Sequence, residues 1–284
     1  MNIKLFVDAC GVDLDVEFVE KHDIGLLYPY IDYNGQDHPS DCTYRLIDAD
    51  DYVSWLNKGK YATISQPAMQ IWKDEFEKAF KEGYDILFLS LSKRLSDGYR
   101  QSSIAREMLL KEYPERQFEI IDSELSGAGY ELYAIKLAEE IEGAKHNSLK
   151  DLKECIESKY EKKFQTFWFC PNLNYVYYMQ RGSDNFKDSG IPSGSPVMVT
   201  DFEGSFHCFA ISGDMETSFK GMVNEFKNVE AWLVNYAPDY KGIDQKIEIL
   251  TRVIGLDPHY HSTWMGPTNV AIAGPGSFSV GIMW

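Results

Sequence analysis

Apolar residues recur along this chain in two alternating rhythms. Short dense runs, "IKLFVDA" (Ile3 to Ala9) and "YDILFLSLS" (Tyr84 to Ser92), have the length of strands and the hydrophobicity of a parallel sheet covered on both faces. Elsewhere the apolar positions spread to helical spacing. "DVEFVEKHD" predicts a short amphipathic helix, and "DADDYVSWLNKG" one that opens on acids and stops at Gly59. Pro67 precedes "AMQIWKDEFEKAFKEG", whose Ile71, Phe76 and Phe80 fall roughly on one face. "YRQSSIAREMLLKEYP" predicts a helix, "FEIID" a strand and "GAGYELYAIKLAEEIEG" a further helix. "IGLLYPYIDYNG" reads as a strand entering an Asn34-Gly35 turn, and "YATISQP" as a loop. Strand and helix alternate to about residue 145, which predicts a parallel sheet with helices on both faces.

The rhythm changes after His146. "SLKDLKECIESKYEKK" predicts a charged helix, "QTFWFC" a strand, "NLNYVYYMQRGS" a short aromatic helix ending near Gly182, and "DNFKDSGIPSGS" a loop. "PVMVTDFEGSFHCFAIS" predicts a hairpin turning at Glu203-Gly204. Helices over "METSFKGMVNEFKN" and "DQKIEILTRVIG" flank a strand, "EAWLVNY", before the closing "NVAIAGPGSFSVGIMW". The expectation is an α/β protein of two domains, residues 1–160 and 161–284, the second an α/β domain with a β-hairpin.

With 284 residues, 44% of them hydrophobic, the chain is long enough for one large domain or two ordinary ones and has material for a sizeable core. Its 44 acidic against 28 basic residues give a net charge of −16, which argues against nucleic acid and against an anionic membrane surface. No apolar run approaches the ~18 residues of a membrane span, so no membrane insertion is expected. The start, "MNIKLFVDACGVD", reads as a first strand and not as a signal peptide. Five cysteines, an odd number without a CxxC, suit reduced thiols in a cytoplasm. No catalytic triad, phosphate-binding loop or metal cluster stands out, so no cofactor is expected. His259 and His261 in "DPHYH" lack a third clear metal ligand.

Small polar residues collect at strand ends instead. Asp8, Ser92, Ser96 and Asp122-Ser123 fall at or just after the carboxyl ends of predicted strands, where open parallel sheets take ligands. In "ATISQPA", Ser65 is placed to cap the helix that Pro67 opens; in "LSLSKRLSDGYRQSS", Ser96 is placed to cap the helix starting at Asp97. In "AGPGS" (Ala273 to Ser277), paired glycines let the backbone approach a neighbour closely. Capping alone explains each serine turn. Free amides at helix starts also attract carboxylates and phosphates, so the turns together form a candidate cradle for the polar end of a small molecule.

Taken in order, these turns resemble the DegV family of bacterial fatty-acid-binding proteins. That family's Asp-Ser-Thr-like turn after the first strand corresponds to "DACGVDL", its Thr-Ser-Gln-Pro turn to "ISQP", and its Ser-Ser-x-Leu-Ser-Gly-Thr-Tyr turn to "SKRLSDGY". Its Asp-Ser corresponds to Asp122-Ser123, its Leu-x-Tyr-Leu…Gly-Arg segment to "LNYVYYMQRG", and its His-x-Gly-Pro-Gly to "IAGPG". The likeness runs over nearly the whole chain. It implies a two-domain, non-catalytic carrier that buries a long-chain fatty acid or other lipid between its domains. The carboxylate would sit at these turns and be presented to a separate dihydroxyacetone-kinase-like acyl kinase. Carried over residue by residue, the lipid site comprises Thr63, Ile64, Ser65, Ser92, Ser96, Asp97, Gly98, Asp122, Arg181, Ile272 and Gly274.

The departures concern the carboxylate. Its usual holders in the family are the Thr, Ser and His of three of these turns; here Ile64 and Ile272 stand at the Thr and His positions, and Ser96 alone remains. Losing two charge-assisted bonds of roughly 1.5–3 kcal/mol each weakens an anion by about a hundredfold or more. Asp97 adds an acid at the positive helix end the ligand would use. The acyl chain does not share that loss, since each buried methylene still returns ~0.8 kcal/mol. The resemblance with these departures predicts a retained apolar cavity with altered head-group selection. Its alternative is a DegV-like binding or regulatory protein that no longer carries fatty-acid anions. Arg181 at a helix end serves equally as a ligand contact or as a charge on the helix dipole.

Overall fold

The computed structural model describes residues 2–143, 148–179, 195–200, 203–212, 215–226, 228–260 and 262–284. In chain order the first elements are β1 (Ile3–Asp8), α1 (Val16–Lys21), β2 (Gly25–Leu27), β3 (Tyr30–Tyr33), β4 (Gln36–Pro39), α2 (Ala49–Asn57) and β5 (Thr63–Ser65). They continue with α3 (Met69–Lys81), β6 (Asp85–Ser90), α4 (Gly98–Glu112), β7 (Phe118–Asp122), α5 (Gly127–Gly143) and α6 (Leu149–Tyr160). Then follow β8 (Phe164–Phe169), α7 (Asn174–Tyr178), β9 (Ser195–Thr200), β10 (Phe206–Ser212) and α8 (Met215–Glu225). The last are β11 (Ala231–Tyr236), α9 (Ile243–Ile254), β12 (Thr263–Trp264), α10 (Pro267–Ala273) and β13 (Phe278–Met283).

The dense apolar runs become β1 and β6, the two inner strands of an all-parallel sheet in the order β2-β1-β6-β7. Helices cover both faces, as the alternation predicts. α3 and α4 enclose one cluster with Trp72, Phe76, Phe80, Phe88 and Phe118; α5 and α6 pack on the other face. The inner stripe of α3 is Trp72, Phe76, Ala79 and Phe80, while Ile71 is 38% exposed. Ile71 lies one step off the i, i+4 row that the larger Trp72 ring occupies.

Residues 63–65, expected as loop, form β5. It pairs antiparallel with β3, matching Tyr30 to Ser65, Ile31 to Ile64 and Asp32 to Thr63, in a small sheet ordered β4-β3-β5. The residue before a proline is biased to extended backbone, so Gln66-Pro67 carries the strand conformation onward and delays the helix. α3 begins at Met69 with Ala68 as its cap residue and no side-chain cap, so Ser65 does not cap it.

The second sheet runs β10-β9-β8-β13-β11-β12, with β11–β12 its parallel pair and the rest antiparallel. The expected hairpin is β9–β10, turning at Glu203 and Gly204. α5 lies between the two sheets, touching β1 on one side and β8, β11 and β13 on the other. Every residue from Gly127 to Ile135 is consequently buried. Two glycines permit the approach: a Cβ at Gly129 would stand 2.6 Å from the Gln165 carbonyl oxygen, and one at Gly281 2.3 Å from that of Ala128.

Candidate functional site

The strand order reverses between β1 and β6, and open α/β sheets take ligands in the crevice beyond the carboxyl ends of such strands. Asp8 ends β1, Ser96 follows β6, and the two meet across that crevice. Ser96 Oγ donates to Asp8 Oδ2 at 3.0 Å. It accepts from the Gly98 N–H at 3.1 Å and from Gln66 Nε2 at 2.9 Å. The hydroxyl thus satisfies the Gly98 amide and ties three turns together, although α4 starts at Gly98 and its cap residue is Asp97, one position later than expected. Its one hydrogen is directed to Asp8. Gln66 Oε1 is buried and has no hydrogen-bond partner among the described residues.

These groups border a cleft of about 320 Å³ lined by Cys10, Ile64, Gln66 and the segment Lys93 to Asp97. Its cations are paired. Lys93 Nζ lies 3.2 Å from Asp122 Oδ2, and that carboxylate raises the ammonium pKa. Asp122 Oδ1 also accepts the Lys93 amide at 3.2 Å, so Asp122 braces the loop. Arg94 Nη2 reaches Glu203 on the β9–β10 turn at 2.8 Å. Asp97 does not occupy the amides at the start of α4, contrary to expectation. Its exposed carboxylate turns to Arg100, accepting from Nε at 3.0 Å, and this guanidinium holds the carboxyl below its ordinary range. An exposed acid with a cation one turn away gains more from that pair than from amides Ser96 already serves.

Strand register sorts the remaining candidates. Alternation along β5 sends Ile64 inward, opposite fully buried Ile31, and leaves Thr63 and Ser65 exposed, away from the cleft wall. Ser92 is buried and donates to the Gly204 carbonyl at 2.9 Å, joining the two halves of the chain and not the cleft. Ile272, on α10, is buried in the apolar cluster against which Ile64 packs, but does not line the cleft. Gly274 caps α10 with φ +87°, and a Cβ there would stand 2.7 Å from Tyr175 Cδ2. The close neighbours of the "AGPGS" turn are therefore Tyr175 and Asp239, whose Oδ1 accepts the Gly276 amide at 2.8 Å. Arg181 and His261 lie outside the described residues.

The family model described as "Uncharacterised protein, DegV family" matches residues 2–182. The chain belongs to the DegV family. A DegV domain-containing protein of Streptococcus pyogenes serotype M1 is 27% identical over 291 aligned positions, covering 99% of this chain and 97% of that protein. A DegV domain-containing protein of Clostridium perfringens is 30% identical over 129 residues, which is 44% of this chain and 43% of the relative's length. Among solved structures, the fatty acid binding DegV family protein of Streptococcus agalactiae superposes with a TM-score of 0.82 at 19% identity, covering 100% of this chain and 99% of that one. The fatty acid kinase (Fak) B3 protein of Streptococcus pneumoniae, loaded with linoleic acid, superposes at 0.81 with 16% identity over 100% and 99% of the two chains. This DegV chain thus shares its fold with them over its whole length.

Sequence reasoning placed Asp8 at a strand end but gave it no contact, and passed over Gln66, Lys93 and Arg94. A long-range hydrogen bond such as Ser96 to Asp8 leaves no local periodicity to read. A second group was missed entirely. Asp13 and Glu131 are buried acids at the meeting of the two sheets. Asp13 accepts from the Gly266 N–H and from Asn269 Nδ2, each at 2.7 Å; Glu131 Oε2 accepts from Asn235 Nδ2 at 2.8 Å and from the Asp13 N–H at 3.3 Å. Burial drives both carboxyls up, Asp13 to about 7 and Glu131 to about 8. Among the described residues no group of three or more His, Cys, Asp or Glu side chains is placed to hold a metal ion, and no helix is long and apolar enough to cross a membrane.

Proposed function

We propose that this DegV protein binds a fatty acid or related lipid without catalysing a reaction on it. Its polar end would lie in the cleft between Asp8, Gln66 and Ser96, and its acyl chain would leave past Ile64 toward Ile272. Family membership supports the reading, as do fold neighbours described as fatty-acid-binding or lipid-binding DegV proteins. The observation that carries it is Ser96, whose hydroxyl joins the ends of β1, β5 and β6 at the reversal of strand order. α5 fills the space between the sheets, so the acyl route runs beside it, where Ile64 and Ile272 share one apolar cluster. The two lobes, 1–160 and 161–284, meet near the cleft through Arg94 and Glu203. An exposed head group there is positioned for delivery to a separate dihydroxyacetone-kinase-like acyl kinase in the cytoplasm.

The cleft's hydrogen bonding favours a neutral polar end over a carboxylate. Ser96 spends its hydrogen on Asp8, and Gln66 Oε1 is an acceptor awaiting a donor. An incoming carboxylate brings a second anion beside the buried Asp8 carboxyl and finds the Ser96 hydrogen already engaged, whereas a hydroxyl, an amide or a protonated acid donates to Gln66. The test is native extraction followed by mass spectrometry, with competition between a labelled long-chain fatty acid and the matching fatty alcohol. A lipid at one-to-one stoichiometry, displaced better by the alcohol, is the expected result. Clean extracts and no uptake of either probe would overturn lipid binding. Uptake of the acid alone would overturn the neutral head group and leave the carrier.

A further inference from the structure

A second cavity, of about 280 Å³, lies where α1 and α5 meet His259, Tyr260 and Thr263, and it shares no lining residue with the cleft at Ser96. Its walls are Leu14, Phe18, Ile135 and Tyr260. One buried acid lines it. Glu131 is 2% exposed, its Oε2 carries the bonds from Asp13 and Asn235, and its Oε1 has no hydrogen bond among the described residues.

We propose that this cavity binds an organic ammonium ion with an apolar body, its N–H group donating to Glu131 Oε1. The two aromatic walls, Phe18 and Tyr260, suit a hydrocarbon or ring body, and Tyr260 already takes one cation, the Lys136 ammonium 5.5 Å from its ring centre. The rim carries Glu17 and Lys21, and Asp15 already accepts the amides of Glu17 and Phe18 as the cap of α1. The groups acting on Glu131 are acids or neutral: Asp13 and Asp15 from the loop after β1, Cys42 from the loop after β4, and Asn235 from β11; Lys21 on α1 and His259 also line the cavity, and neither is bonded to Glu131 among the described residues. A charge on Glu131 therefore has no bonded cation among the described residues, which agrees with its carboxyl pKa of about 8. An ammonium ion supplies the compensation. The acid proton leaves to solvent as the carboxylate pairs with the ligand, so one cation enters for nearly one proton released at pH 7.

The test is calorimetric titration of the full chain with 2-phenylethylammonium and with 2-phenylethanol as its uncharged counterpart. Runs at pH 6, 7 and 8, in two buffers of different ionisation enthalpy, count the protons released. Expected are at least tenfold tighter binding of the ammonium, affinity rising with pH over that range, and release of most of one proton at pH 7. Glu131→Gln keeps an acceptor for the Asp13 and Asn235 donors and should lose tenfold or more, together with the pH dependence. Equal binding of the two probes, no proton release by the unaltered chain, or undiminished binding by the variant would each overturn the proposal. Because the two sites have no residue in common, failure of the lipid reading leaves this result unaffected.

Discussion

Gly98 lies directly against the carboxylate of Asp8: a Cβ built on Gly98 would stand 2.1 Å from Asp8 Oδ2 and 3.3 Å from Ser96 Oγ. The start of α4 and the end of β1 can share Ser96 only because this position has no side chain. Gly98→Ala must displace Asp8 or tilt the helix, and overpacking of this kind costs about 1–3 kcal/mol. A lower thermal midpoint together with lost lipid uptake is expected. An unchanged melting curve and unchanged uptake would refute the role given to this contact.

Burial separates two links between the N-terminal and C-terminal halves of the chain. Ser92 is buried and donates to Gly204, so Ser92→Ala orphans a carbonyl and should cost about 1–2 kcal/mol. Arg94 and Glu203 are exposed, and Arg94→Ala should change stability by no more than about 0.5 kcal/mol. Urea unfolding of the two variants side by side reads the difference.

The inward aim of Ile64 gives a gain-of-function test. Ile64→Thr places a hydroxyl donor on the cleft wall and should tighten a long-chain fatty-acid anion by about tenfold. Thr63→Ala, one residue away on the exposed face of β5, should leave affinity unchanged. Displacement of a fluorescent fatty acid would decide it, and equal responses from both positions would contradict the register.

Asp13 and Glu131 make stability depend on pH in the direction opposite to ordinary surface acids. Their folded pKa values, about 7 and about 8, are raised above the ordinary carboxyl range, so the folded chain holds protons that the unfolded chain releases. Their contribution is fully present below about pH 4 and is lost as pH rises through 7 and 8. The thermal midpoint should therefore be higher at pH 5.5 than at pH 8.5. Glu131→Gln should flatten the upper part of that slope, and a slope the variant leaves unchanged would rule Glu131 out as its source.

Much of the architecture was legible because its signals are local. The dense runs of β1 and β6, the acid-capped start of α2 and the Glu203-Gly204 turn each declare themselves within a few residues. β5 was not legible, since three residues before a proline carry too little pattern to separate strand from loop. Its partner β3 is more than thirty positions upstream by the pairing of Asp32 with Thr63. The same limit hid the site's wiring. Ser96 could be read as a cap from its neighbours, but its bond to Asp8 spans 88 residues and depends on which strands lie side by side. Asp13 and Glu131 gave no signal at all, because an acid in a loop and an acid in a helix are ordinarily solvated.

The placement of α5 bears on how the chain comes to be folded. One helix is the inner lining of both sheets, so a fragment ending near residue 160 would present to water the side meant for β8 and β13, and the remaining piece would lack its floor. Neither half owns a finished interior. Assembly is therefore expected to be all-or-none across the molecule, with severed halves prone to aggregate and regaining order only in each other's company.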